Sequence, residues 1–154
     1  MTPFLTSLST WLHAMATVIF VGHFVLMSFL YLPVLAKPET IPVLSEISKR
    51  SRPWMYASLI VFLVTGIYLM IVDPNYLGVG NFNNLWAVLM LVKHLLIMVM
   101  IGLGFVFNAI LRVGPMMSSN SGREQALARF RTYVNAMALS GILVLLLTAF
   151  SQGK

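Results

Sequence analysis

The sequence predicts an all-α fold: an integral membrane four-helix bundle running up and down through the bilayer. Two observations carry that reading. Of the 154 residues, 59% are hydrophobic and only 9% are charged, where a soluble domain carries about 25% charged residues. The apolar residues also gather in four long runs, each able to cross the hydrocarbon core as a helix. The spans are expected at about residues 8–33, 54–72, 85–112 and 132–150, within a single domain covering residues 1–154.

The first run opens a stretch, residues 1–36, that holds no Asp, Glu, Lys or Arg. A cleaved signal peptide needs a positive n-region and a small-residue cleavage site. Neither is evident, so the first span is expected to stay. Thr2-Pro3 reads as an N-cap followed by proline at the first helical position. The helix is expected to begin near Pro3 or Trp11, to reach Tyr31 and to stop around Pro33. Residues 37–53, KPETIPVLSEISKRSRP, read as a polar loop broken by Pro38, Pro42 and Pro53, with a short helical turn pairing Glu46 and Arg50. The second span follows from Trp54 to Val72, with Gly66 as a close-packing point.

Residues 73–84, DPNYLGVGNFNN, are rich in turn formers. After the third span, a second basic segment carries Arg123, Arg129 and Arg131. Ser121 and Glu124 have capping-box spacing, which predicts a helix running into the fourth span.

The charges fix an expected orientation. Lys37, Lys49, Arg50 and Arg52 lie in the first connection, Arg112, Arg123, Arg129 and Arg131 in the third, and no Lys or Arg in the second. Basic connections stay cytoplasmic, so both termini and residues 73–84 are expected on the non-cytoplasmic side. Trp11 and Trp86 then mark the outer interface and Trp54 the inner one. The net charge of +6 reports this topology rather than a nucleic-acid partner. The absence of cysteine excludes disulfides, thiolate metal sites and cysteine nucleophiles.

Within this apolar chain, the ionisable residues inside spans stand out. Lys93 and His94 sit side by side in the third span, with no other ionisable residue from Leu85 to Leu111. A charge in hydrocarbon costs about 2.5 to 3.5 kcal/mol on insertion scales, so Lys93 is a functional-site candidate. His13 and His23 lie in the first span. His13 precedes Tyr31 by as many residues as His94 precedes Arg112, which sets the two imidazoles at similar depth. Counting from Trp11 and Trp86 instead separates them by about 9 Å of helical rise. Spans one and three face each other across the diagonal of an up-down bundle, a gap that accommodates a haem b with axial His13 and His94. Lys93 would then pair with a propionate, and Gly102 and Gly104 would let the ring approach.

Methionine supplies the competing reading. Met90, His94 and Met98 share one face of the third span, and His23 and Met27 repeat the spacing on the first. Thioether and imidazole donors together suit copper(I). Haem b and copper both stay open on these residues, as does an accessory subunit of a larger membrane complex with no cofactor of its own.

Three stretches carry a family resemblance. WLHAMATVIFVGHFVLMSFLYLPVL contains His13, Phe20, Gly22 and Leu32-Pro33; LVKHLLIMVMIGLGFVFN carries a lysine and ends in asparagine; RFRTYVNAMALSGILVLLLTAF closes the last span. Together with Thr65-Gly66 they resemble the membrane domain of copper-resistance protein D (CopD-type) proteins. That resemblance implies copper uptake or export and a prokaryotic plasma (inner) membrane. The chain is also distantly similar to HemJ-type protoporphyrinogen oxidases, which bind haem b. This second likeness implies ligand and catalytic roles for His13 and Lys93. The chain departs from the first pattern at Ala136, where a glutamate is common, and from the second after YLPVL, where an arginine is usual. The partners implied are the lipid bilayer and other membrane or redox proteins, with a homo-oligomer also compatible.

Overall fold

The structure, a computed structural model, describes residues 3–35, 37–76, 78, 83–111 and 120–152. The side chains of residues 38, 41, 105–111, 120, 121, 123, 151 and 152 are outside that description. The expected roles of Arg112, of the Asn108 side chain, and of the Ser121 and Arg123 side chains therefore lie outside the described residues. The elements are α1 (Pro3–Leu26), a π-helical turn (Met27–Tyr31), α2 (Leu32–Leu35), a 3-10 turn (Pro38–Thr40), α3 (Ile41–Val72), α4 (Leu85–Leu111) and α5 (Asn120–Gln152). No strand occurs among the described residues. Four helical stretches are long and apolar enough to cross a membrane: Pro3–Leu35, Pro42–Val72, Leu85–Gly104 and Glu124–Phe150.

Two boundaries differ from expectation, both at prolines. The first helix does not stop at Pro33. Proline lacks an N–H and its ring collides with the carbonyl four residues back, here that of Phe29. The chain widens into the π turn just before it, where the Leu32 N–H bonds the Met27 carbonyl, and helix resumes to Leu35. The expected polar loop at residues 37–53 is also largely helix. α3 begins at Ile41, has proline in its first turn and passes through Pro53. The Thr40 hydroxyl caps nothing in α3; its proton is shared between the Leu35 and Lys37 carbonyls, which closes the short connection before the helix.

The connection from α3 to α4 is held by side-chain hydrogen bonds. Asp73 Oδ1 accepts from the Asn75 N–H at 2.9 Å, an Asx turn. Asn84 caps α4 by accepting from the Ala87 N–H at 2.7 Å. Its amide reaches back to the Asn75 carbonyl at 3.1 Å.

The four long helices do not pack as a closed ring. α1 packs along both α3 and α5, and α4 packs along α5, while α3 and α4 share no comparable seam. Thr6 beside Tyr68, His13 beside Thr65 and His23 beside Ser51 make α1 and α3 antiparallel. Val21 beside Gly141 and Ser28 beside Asn135 do the same for α1 and α5. The core lies along α1, where Ala16, Phe20, Val21, Phe24 and Met27 are buried against Val134, Met137 and Ala138 of α5. Outward faces are apolar too: Val18, Phe29, Ile60, Val64 and Phe150 are all more than 60% exposed, as surfaces in contact with lipid are. Trp11 and Trp54 are also exposed.

Close approach between helices depends on glycine. A Cβ on Gly141 would sit 2.7 Å from Val21 Cγ1 and 3.3 Å from its Cγ2, and a β-branched side chain has no free rotamer to escape into. Gly141→Ala is therefore expected to destabilise the fold by about 1 to 3 kcal/mol. Gly102→Ala, whose Cβ meets nothing within 4 Å, is expected to leave stability unchanged or slightly raised. Thermal unfolding of the two variants in one detergent checks this pair.

Candidate functional site

The residues that bear chemistry fall into two groups at different heights along α1. Nearer the Pro3 end, the half-buried His13 stacks on Phe62, ring centroids 4.5 Å apart at 21°. Its Nδ1 lies 3.0 Å from Thr65 Oγ1. The Thr65 hydroxyl donates to the Val61 carbonyl at 2.6 Å, so the ring supplies the proton between them. Nδ1–H donates and Nε2 keeps its lone pair. Gly66 makes room for this ring, since a Cβ there would stand 3.1 Å from His13 Cε1. The expected close-packing role of Gly66 thus has a specific neighbour.

His94 is held by its own helix. Its Nδ1 is 2.6 Å from the Met90 carbonyl oxygen, which only accepts, so Nε2 is again the bare nitrogen. Lys93 is half-buried and lies within electrostatic reach of both His13 and Asp73. Asp73 gives it a counter-charge from the end of α3, supplied by the protein itself. Gly104 lies 3.7 Å from the Tyr133 hydroxyl as measured from an added Cβ, and Gly102 faces open space.

The second group lines a cavity of about 150 Å³ walled by all four long helices. Its existence follows from the packing, because α3 and α4 are not zipped together and the space between them stays open. Toward the basic end the wall is polar, with His23, Ser48, Ser51 and Arg52. His23 Nε2 is 3.4 Å from Ser51 Oγ, and Ser51 donates to the Ser48 carbonyl at 3.2 Å. The His23 ring therefore donates from Nε2 and keeps its lone pair on Nδ1, the opposite tautomer to His13 and His94. An edge contact with Phe24, centroids 5.4 Å apart, fixes the ring plane. The rest of the wall includes four thioethers, Met27, Met55, Met100 and Met137, one from each long helical stretch. Met27, Met100 and Met137 are at most 3% exposed.

The structure divides the sequence-level candidates. His23 and Met27 line the cavity; His13, Met90, Lys93, His94 and Met98 do not. Met98 is 65% exposed, so the proposed Met90/His94/Met98 face is split by its own outward end. His13 is bound to α3 and His94 to the α4 backbone, and among the described residues no hydrogen bond or ring contact joins the two rings. Met55, Met100 and Met137 were missed. A signal existed for Met137, which stands four residues before Gly141, since glycine marks the packed face of a membrane helix; on α4 the same spacing marks the exposed Met98 before Gly102 as well as Met100 before Gly104. Among the described residues, no group of three or more His, Cys, Asp or Glu is placed to hold a metal ion. The donors that do converge are soft.

These features define a four-helix integral membrane protein with a buried histidine- and methionine-lined chamber. A sequence profile described as copper resistance protein D matches residues 45–151, more than half of the chain, and the chain belongs to that family. The match takes in most of α3 and the whole of α4, and nearly all of α5, and begins after α1. No curated protein matches the chain, and no solved structure does either.

The hydrogen bonds assign the three imidazoles. In ¹⁵N spectra of histidine-labelled protein at neutral pH, His13 and His94 are expected to be Nδ1-protonated and His23 Nε2-protonated. Thr65→Val is expected to remove the signature from His13 alone.

Proposed function

We propose that the chain handles copper(I) as its cargo, taking it up in the central cavity through His23 Nδ1 and the surrounding thioethers. The observation that carries this reading is the donor set. Four methionines and one histidine from four helical stretches share one small chamber, and soft thioether and imidazole ligands select copper(I) over harder ions. No carboxylate lines the chamber among the described residues, so a divalent ion would find no charge there to offset its desolvation. Membership in the copper resistance protein D family supports the same cargo.

Arg52 on the rim adds a condition. Its guanidinium repels a bare cation, so loading favours copper that arrives bound to an anionic donor and is passed to the thioethers by ligand exchange. The distribution of Lys and Arg supports an inner-membrane orientation with the polar rim toward the cytoplasm and both termini outside.

A second reading is supported by His13 and His94, both of which keep Nε2 bare while Nδ1 is held by a fixed acceptor. Haem-ligating histidines are oriented in this way by outer-shell partners. In this reading the pair holds haem b for membrane electron transfer or porphyrin redox chemistry, with Lys93 as the charged residue beside it.

Copper(I) competition against a chromophoric chelator tests the first reading. The Met100→Leu/Met137→Leu double variant and His23→Ala are each expected to weaken binding about tenfold or more. Met98→Leu is expected to leave it unchanged. If only His94→Ala and Met98→Leu weaken binding, the cavity is not the site. An oxidised-minus-reduced optical spectrum with iron and copper quantified on the same sample tests the second. Near-stoichiometric iron with a Soret band lost in His13→Ala and His94→Ala would establish haem instead.

A further inference from the structure

We infer that the outer groove between the π turn and α5 is a binding site for the phosphate headgroup of an anionic phospholipid. This is independent of what the central cavity holds. The groove measures about 600 Å³ and is lined by Ser28 and Phe29 on one side and Arg131, Asn135, Leu139 and Ile142 on the other. Its floor is apolar and open to the surroundings, with Phe29 68% and Leu139 60% exposed, as acyl chains require.

The polar groups in it are donors. The Ser28 hydroxyl donates to Asn135 Oδ1 at 2.7 Å. That bond engages the amide oxygen of the exposed Asn135 and leaves its NH₂ as the group's donor. Arg131 stands one helical turn away on the same face, adding a guanidinium fork, and among the described residues the lining holds no acidic side chain. Amide donors facing hydrocarbon without partners are costly. A phosphodiester, which offers only acceptors and a negative charge, satisfies both groups.

Depth agrees with this assignment. Arg131 lies about 28 Å of helical rise from Phe150, close to the roughly 30 Å thickness of the hydrocarbon core. The guanidinium therefore stands at headgroup level when Phe150 is at the opposite interface. Arg131 is also at the basic end of the bundle, with Lys37 and Arg129. Ser28 lies within the π turn, and π turns inside helices occur frequently at functional sites.

Native mass spectrometry of the full chain, released from micelles doped with equal phosphatidylglycerol and phosphatidylcholine, tests the site. Preferential retention of phosphatidylglycerol is expected. Arg131→Gln is expected to reduce that preference about fivefold, the effect of one basic residue at a charged membrane surface. Arg129→Gln, the same charge on the same helix outside the groove, is expected to preserve it. Retention of both lipids equally by the unaltered chain would overturn the proposal, and that comparison needs no variant to fold. Equal loss in Arg129→Gln would reduce it to a diffuse basic surface. Asn135→Cys supplies a single thiol in a cysteine-free chain; its efficient cross-linking to a second copy in phosphatidylglycerol vesicles would show that protein covers the groove, and would equally overturn it.

Discussion

The structure depends on how closely α3 and α5 approach α1. In a bilayer, apolar side chains gain nothing by leaving lipid for one another, so helices associate through shape, hydrogen bonds and small residues. All three operate on two sides of α1. Gly66 lets α3 close on the His13 ring, and Gly141 lets α5 close on Val21. Polar links reinforce each seam, through Thr65 and Ser51 on α3 and Asn135 on α5. α4 has only α5 as a comparable neighbour. The result is a three-helix slab with a fourth helix attached along one side, and the chamber is the space left where α3 and α4 share no comparable seam.

That arrangement sorts the ionisable residues by what they do. Near the Pro3 end His13 and Thr65 bond α1 to α3, and Lys93 has the Asp73 carboxylate as a counter-charge within electrostatic reach. His23 also has a partner, Ser51, but the contact is long and the ring borders empty space. A half-buried imidazole at a chamber wall, with one nitrogen engaged by Ser51, has its other nitrogen left to receive something. The methionines around it offer polarizable donors that adapt to a guest without demanding charge.

Much of this was legible in the sequence. The four long apolar helices, the turn at residues 73–75 and the packing role of Gly66 followed from hydropathy, turn formers and small residues. What failed was punctuation by proline. Pro33 and Pro53 read as stops, yet helices pass through both, because a membrane helix can widen its turn or leave one carbonyl unbonded where a soluble helix would end. The site failed for a different reason. The stripe Met90, His94, Met98 has correct helical spacing, but spacing alone does not say which face turns inward. On an apolar helix every face looks equally suited to burial, and glycine spacing does not break the tie on α4, since Met98 stands four residues before Gly102 as Met100 does before Gly104.

The π turn at Met27–Tyr31 has a bearing on chain length. A wide turn of this kind takes up one residue more than an α turn over about the same axial distance. The faces before and after it keep their alignment, so Phe24 and Leu32 are both buried although the run between them is not regular α-helix. This turn is therefore where the first helix can gain or lose a residue without rotating either flank out of its seam. Length variation elsewhere in that helix would turn one flank by about 100° and carry His13 or His23 away from its neighbour on α3.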